Sequence, residues 1–334
     1  MARIGLSDVA DAAGVSEATV SRVVNKRGVV AAETRKTVED AMRRVGYSRG
    51  TLGNLVLLVT PGLVDPFFAV LSDRIAAALG LQGLRAVVCS APVGGVQELE
   101  FVSAMADAGM VGAIFVSASN TLEDADPAVH RLLQARRIPF IGVNGAFEGV
   151  DAPTLSTNDV LAAELAVDHL WSLGHRRIGL IAGPIGNRPS DRRQQGFLDA
   201  IRSRGGSLDD GLVVRHEYSI EGGMTAAGRL LEQEGATAIV AASDEIALGA
   251  IRAARRLGLD VPRDVSVIGY DDTLPLEFLD PPLTTVRQPL SRLAQAIVPV
   301  LLRQIQGRPV DSGELLFDPE LIIRASTAPV RVAG

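Results

Sequence analysis

The sequence predicts a small all-α helix-turn-helix head joined to an α/β body of two doubly wound parallel-sheet lobes. Three observations carry that expectation. The first fifty residues hold short capped helical patterns on either side of a glycine. From Leu55 onward, short apolar runs alternate with amphipathic stretches, the order that βαβ units produce. The body contains eight such runs, too many for one comfortable sheet, and a break at Asp151-Ala-Pro153 divides them four and four.

In the head, Ser7 is placed to cap a first helix and Asp8 suits its first turn. Gly14-Val15 makes the turn, and Ser16 caps a second helix that runs to about Val24. A third helix over 33–45 follows from Val38, Ala41, Met42 and Val45, whose spacing lines one face. Val9, Ala13, Val20 and Val23 read as the shared core. Along the body, strands are expected at 55–59, 85–89, 113–116, 140–143, 178–182, 213–218, 238–242 and 265–270. Helices are expected at 67–79, 98–108, 128–135, 160–173, 192–203, 224–234 and 245–257. Pro299 interrupts the helical run 290–305, so that helix should kink or start late.

Charge separates the two parts. Residues 1–50 carry nine Lys or Arg against six acids, a net of +3, while the whole chain of 334 residues is −6, which leaves −9 for the body. Lys26 and Lys36, the only lysines, both fall in the head. A basic helical module on an acidic partner is what DNA contact requires. With 47% hydrophobic and 22% charged residues the chain should fold into ample cores. It shows no charged-then-apolar leader and no apolar run approaching about twenty residues, so a cytoplasmic location is expected and no membrane. The single Cys89 reads as a buried strand residue, and one Cys with four scattered His forms no metal-ligand cluster. No cofactor is expected. The nucleotide-binding and metalloprotease motifs G-x-G-x-x-G and H-E-x-x-H are absent, as is a P-loop, so the chemistry of an enzyme is not indicated.

The head run D-V-A-x-x-A-G-V-S-x-x-T-V-S-R-V-V-N from Asp8 to Asn25, followed by V-x-x-E-T-R from Val30 to Arg35 and by Gly46-Tyr47, resembles the lactose-repressor (LacI/GalR) family of bacterial regulators. The resemblance continues through D-P-F-F at Asp65, L-G-H-R-R-I at Leu173, A-S-D-E-I-A-L-G at Ala242, V-I-G-Y-D-D at Val267 and P-P-L-T-T-V-R-Q-P at Pro281. It implies a periplasmic-binding-protein-like body with a ligand cleft between its lobes. It also implies three crossings of the chain between lobes, near residues 155–158, 284–288 and 313–317. The implied organisation is a head over 1–47, a short linker over 48–54 and an effector-binding and dimerisation domain over 55–334. Within that domain the N-lobe takes about 55–155 and 288–313, and the C-lobe about 157–285 and 316–330. A cleft there agrees with the rule that open α/β sheets bind small molecules beyond the carboxyl ends of their strands.

For the head, the resemblance puts the start of the second helix in the major groove, with Glu17, Ala18, Ser21 and Arg22 facing base edges. Arg22 can bond guanine at two atoms, Glu17 can accept from cytosine and Ala18 can touch a thymine methyl. Ser7, Ser16, Thr19 and Asn25 suit phosphates, which fix register without reading sequence. For the cleft, Arg193 stands three residues before Gly196-Phe197, where the family has the arginine that clamps its effector. Asp271 opens an Asp-Asp pair at a strand end and could accept two sugar hydroxyls while paired with an arginine. Asn144, Ser243 and Gln288 are hydroxyl readers, and Phe67 and Tyr218 match pocket aromatics on which a sugar face can stack. Phe68 and Trp171 read as core. These residues favour a carbohydrate effector, although purine-binding relatives use the same positions.

Two departures from the family stand out. The segment 48–54 lacks the usual hinge helix, and Leu52 lies near Gly50 and Gly53, which disfavour one. In the family that helix wedges the minor groove of the operator. Ala31-Ala32 replaces a Ser-Pro pair and removes a cap worth about 1 kcal/mol from the third helix. The expected activity is that of a dimeric, effector-responsive repressor on a pseudo-palindromic double-stranded operator, one head per half-site, working by population shift. The second reading is a cytoplasmic small-molecule-binding protein whose head, lacking the hinge, binds DNA weakly or without specificity.

Overall fold

The computed structural model describes residues 5–24, 30–45, 54–91, 96–207, 212–272 and 275–331. In the head, α1 (Leu6–Ala13), α2 (Glu17–Val24) and α3 (Ala32–Val45) enclose a core of Val9, Val20, Val23, Val38 and Ala41, with Ala13 half-buried against it. The expected cap of α1 is corrected. The helix starts before Ser7, at Leu6, and Gly5 occupies the cap position, its N–H donating to Asp8 Oδ2 at 2.6 Å. Ser7 is left exposed inside the first turn. Gly14 ends α1 at φ 68°, a left-handed conformation open to glycine, and its N–H returns to the Ala10 and Asp11 carbonyls. Ser16 does cap α2, accepting from the Thr19 N–H at 3.2 Å. Asn25 and linker residues 48–53 lie outside the described residues.

The body is built on two six-stranded sheets. The first orders β2 (Arg85–Ser90), β1 (Leu55–Thr60), β3 (Gly112–Val116), β4 (Phe140–Val143), β5 (Thr154–Thr157) and β11 (Glu314–Phe317), all parallel. Helices cover both faces, so the central strands read as unbroken Val, Leu and Ile runs rather than alternating ones. On one face α4 (Pro66–Leu81) and α11 (Leu290–Ile305) bring Leu71, Ile75, Leu293 and Ile297 onto the sheet. On the other, α5 (Val96–Asp107) and α6 (Ala128–Ala135) cover Phe115, Phe140 and Phe147, whose rings meet edge to face.

The second sheet orders β7 (Val213–Arg215), β6 (Ile178–Ala182), β8 (Ala238–Ala241), β9 (Ser266–Asp271), β10 (Thr284–Arg287) and β12 (Glu320–Ile322). Its last strand runs antiparallel to β10, so this lobe is parallel except at one edge. The helices α7 (Asp159–Ser172) and α8 (Arg188–Ser203) cover one face, and α9 (Ile220–Glu232) and α10 (Asp244–Arg256) the other.

The chain passes between the sheets after β5, after β10 and after β11. The strands beside those crossings were not anticipated by periodicity. Each is three or four residues long, and β5 (TLST) and β10 (TTVR) are rich in threonine, so pairing with a neighbouring strand rather than local pattern defines them. Two further expectations are corrected and a third is narrowed. Pairing of β11 carries the first lobe's share of the tail to Phe317. Of the two alternatives for the helix around Pro299, a kink or a late start, the late start is excluded, since α11 runs from Leu290 through Pro299 to Ile305 with Leu293, Ile297 and Leu301 buried on the sheet. β7 stops at Arg215, which leaves Tyr218 on the loop before α9. Among the described residues no helix is long and apolar enough to cross a membrane.

Candidate functional site

A cavity of about 350 Å³ lies between the lobes. It sits where the carboxyl ends of both sheets converge. Pro61 and Asp65 follow β1, Ser117 follows β3 and Asn144 follows β4; from the other lobe come Asn187, Tyr218, Ser243, Asp271 and Gln288, at or beyond the ends of β6, β7, β8, β9 and β10. Open α/β sheets leave backbone groups and loop side chains free at this edge. Ser117, Asn144 and Asp271 all adopt positive φ, at 48°, 64° and 119°. Such strain persists only where surrounding contacts over-determine it, and it concentrates at ligand sites.

Arg193 enters the cavity from α8, half-cancelled by a partner that sequence reasoning missed. Its Nη1 donates to Asp159 Oδ1 at 2.6 Å, its Nη2 donates to Tyr218 OH at 2.9 Å, and its guanidinium lies 4.3 Å over the Tyr270 ring. Tyr270 OH also donates to Asp159 Oδ1, at 2.9 Å. The Arg193 and Asp159 side chains are 10% and 1% exposed. Burial pushes the Asp159 carboxyl up, opposed by Arg193 and Tyr270. Burial alone would depress the guanidinium, yet Tyr218 and Asp159 beside it hold its pKa well above the usual value. Gly183 makes room for the Tyr218 ring, since a Cβ there would fall 2.4 Å from its Cζ.

The expected pairing of Asp271 with an arginine is corrected. Asp271 Oδ1 accepts from Gln288 Nε2 at 2.6 Å, and Gln288 Oε1 accepts from Thr157 Oγ1 at 2.5 Å. Asn144 Oδ1 accepts from the Thr157 N–H at 3.4 Å and its Nδ2 donates to Ser117 Oγ at 3.1 Å. A line of polar contacts thus crosses from one lobe to the other through Thr157 and Gln288. Ser243 caps α10, accepting from Ile246 N–H at 3.2 Å, and its hydroxyl lines the cavity. Phe67 and Phe68 both reach the cavity, edge to face at 5.1 Å, but in reversed roles. Phe67 is buried in the first lobe's core, and Phe68 is the half-exposed face. Trp171 stays outside, packed beside the core of the second lobe under the Arg176 guanidinium at 4.0 Å.

Sequence reasoning also missed Asp65 and Glu245. Asp65 precedes Pro66 and caps α4, a helix-start signal that was available in the sequence. Desolvation pushes Asp65 up, and it raises Asp271 and Glu245 further together with burial. Asp244, just behind the lining, is pushed up to about 7, chiefly by burial and against hydrogen bonds from Thr285 Oγ1 and the Asp272 N–H. Among the described residues no group of three or more His, Cys, Asp or Glu is arranged to hold a metal ion.

In the head, Glu17, Ala18 and Arg22 are exposed on α2 and Ser21 is half-buried, while Val20, Val23 and Val24 face the core. The cap hydroxyls of Ser16 and Thr19 lie 2.9 Å apart at the start of the same helix.

A helix-turn-helix whose second helix shows a polar face, together with two lobes closing on a hydroxyl-lined cavity, defines a ligand-responsive DNA-binding regulator. The model of bacterial regulatory proteins of the lacI family matches residues 5–49, and that of a periplasmic binding protein-like domain matches 167–327. The HTH-type transcriptional regulator MalR of Streptomyces coelicolor is 45% identical over 97% of this chain and 96% of its own length. The HTH-type transcriptional repressor CytR of Escherichia coli is 35% identical over 96% of each chain. The chain belongs to the lacI family of transcriptional regulators. Among solved structures, a complex of the transcriptional regulator CelR with cellobiose superposes with a TM-score of 0.76 at 29% identity, covering 97% of this chain and all of that one. The lac repressor dimer bound to operator and the anti-inducer ONPF superposes at 0.73 with 29% identity, over 98% and 100% of the two chains.

Proposed function

We propose that this regulator is a dimeric repressor of a pseudo-palindromic operator, and that a carbohydrate bound between its lobes modulates its affinity for DNA. The cavity carries the reading. It offers a half-exposed aromatic face at Phe68, a phenol at Tyr218 and hydroxyl-bonding groups at Asn144, Arg193, Ser243, Asp271 and Gln288, the combination of apolar face and polar edge that a sugar ring presents to its partner. Cellobiose in the CelR neighbour supports that class of ligand. On α2, Glu17, Ala18, Ser21 and Arg22 read bases, and Ser7, Ser16, Thr19 and Asn25 hold phosphates. A dimer follows from the half-site that one head covers, and the operator-bound lac repressor dimer supports it. The polar groups of the cleft bind and do not catalyse, and the protein works in the cytoplasm, where its operator lies.

Selection of bound sequences from a random duplex pool at physiological salt, followed by titration of the selected operator with neutral sugars including cellobiose and ribose, tests this. An enriched palindrome whose binding is altered by at least one sugar is expected. Failure to enrich any sequence would leave a ligand-binding protein with a disabled head, and an operator that no sugar affects would overturn the carbohydrate assignment.

A further inference from the structure

We propose that the interlobe cavity refuses anionic ligands, accepting a neutral sugar where the phosphate ester or uronate of that sugar is rejected, and that Asp159 sets this selectivity by cancelling the charge of Arg193. The inference rests on the reading of the cleft as a carbohydrate site and narrows the ligand's charge. Among the described residues lining the cavity, three are acidic, namely Asp65, Glu245 and Asp271, and the basic one is Arg193. That guanidinium is the natural clamp for a phosphate or carboxylate, because its forked donors match two oxygens. Here the fork is already engaged. One arm is held by Asp159 at 2.6 Å and the other by Tyr218 at 2.9 Å. The remaining nitrogen, Nε, is itself buried, so the guanidinium presents no open bidentate cradle.

The neighbouring cations are committed elsewhere. At the cleft mouth Arg188 pairs with Glu148 and Arg192 with Glu314, while behind Asp271 both Arg287 and Arg324 bond Asp272. Asp65 on one lobe and Glu245 and Asp271 on the other line the same cavity, with Asp244 just behind them; burial first, and then the like charge of these neighbours, pushes the carboxyls of Asp244, Glu245 and Asp271 up. An incoming anion would add one more negative charge to this buried group of acids, whereas the hydroxyls of a neutral sugar can donate to the same oxygens.

The test uses the full chain and matched ligand pairs followed by calorimetry and thermal shift: glucose with glucose phosphate and glucuronate, ribose with ribose phosphate, cellobiose with cellobionate. For every neutral sugar that binds, the acidic counterpart should bind at least about tenfold more weakly, as like charges a few ångströms apart in a partly buried site require. In Asp159→Asn the ratio between the two affinities should narrow, whatever the absolute values, because the Arg193 charge is released toward the cavity. Asp65→Asn keeps the helix cap while removing a lining charge, and it should narrow the ratio as well, which covers the case in which the Asp159 variant does not fold. An acidic sugar that binds the parent chain as tightly as its neutral counterpart overturns the inference and leaves the carbohydrate reading intact. If no neutral sugar binds, the carbohydrate reading falls and this inference with it.

Discussion

Two arginines show how one side chain serves two tasks. Arg22 is exposed on α2, where we propose that it reads a guanine edge, whereas Arg193 is buried and locked by Asp159 and Tyr218. Replacing Arg22 by Ala should weaken binding to the selected operator by about 1–3 kcal/mol and relax preference at one base pair per half-site, with thermal unfolding unchanged; fluorescence anisotropy on operator variants reads both. Gly183→Ala should displace the Tyr218 ring, whose Cζ lies 2.4 Å from where the new Cβ would stand. Sugar affinity should then fall several-fold in calorimetry while operator affinity without sugar is kept. Asp244 supplies a pH signature. Its folded pKa of about 7 exceeds the ordinary carboxyl value of 3.8, so between those values the folded chain holds a proton that the unfolded chain has lost, and stability drains away as pH rises through that window. Asp244→Asn should therefore gain stability relative to the parent from about pH 4 to about pH 7 and level off above it. A difference in thermal midpoint that does not vary with pH would refute the assignment. Taking the difference removes the opposite trend from His130, His169 and His175, whose pKa values burial lowers. Sequence marked Arg193, Asn144 and Gln288 through motif position, but nothing local ties Arg193 to Asp159, 34 residues away at the start of another helix. The reversal of Phe67 and Phe68 was equally hidden, since adjacent residues on a helix start differ only in which side the core lies.

At the scale of elements, the central strands and the helices were legible because each has a strong pattern of its own. Unbroken apolar runs make β1, β3, β6 and β9, and every residue of these strands is buried. The unforeseen strands β5, β10, β11 and β12 have no such run and form only where a neighbouring strand offers its hydrogen bonds. The head depends on caps, because its core is a handful of small residues around Val9, Val20 and Val38. Ser16→Ala removes the hydroxyl that accepts from Thr19 N–H, which should cost about 1 kcal/mol of head stability and raise amide exchange along α2. Ser16→Asp keeps the cap but sets a negative charge at a proposed phosphate contact. It should preserve slow exchange in α2 while weakening operator binding, and equal losses in both variants would place Ser16 in folding alone.

At the scale of the whole molecule, the lobes are joined by three strands of chain and by contacts across the cleft. The Glu123 N–H donates to the Gly186 carbonyl at 2.9 Å beside a bridge between Leu122 and Asn187, and Arg192 bonds Glu314, which also accepts from Ser156. A ligand that prefers one arrangement of these contacts shifts the lobe equilibrium by its differential affinity. If operator and sugar favour different arrangements, each must change the affinity of the other by the same factor, typically about 5–150-fold. Titrating sugar with and without saturating operator, and operator with and without saturating sugar, should return equal ratios; unequal ratios would mean a third state or a second sugar site. The sequence by itself determined the class of this protein: the capped helices around Gly14, the basic head on an acidic body and the alternating apolar runs, because these are set by local spacing and charge. Only the tertiary structure decided which groups meet in the cleft. Asp159 reaches Arg193, and Gln288 joins Thr157 to Asp271, through contacts that bring distant segments together, Asp65 acts on Asp244 from the other lobe, and the burial and charge that set their chemistry exist only once both lobes have folded.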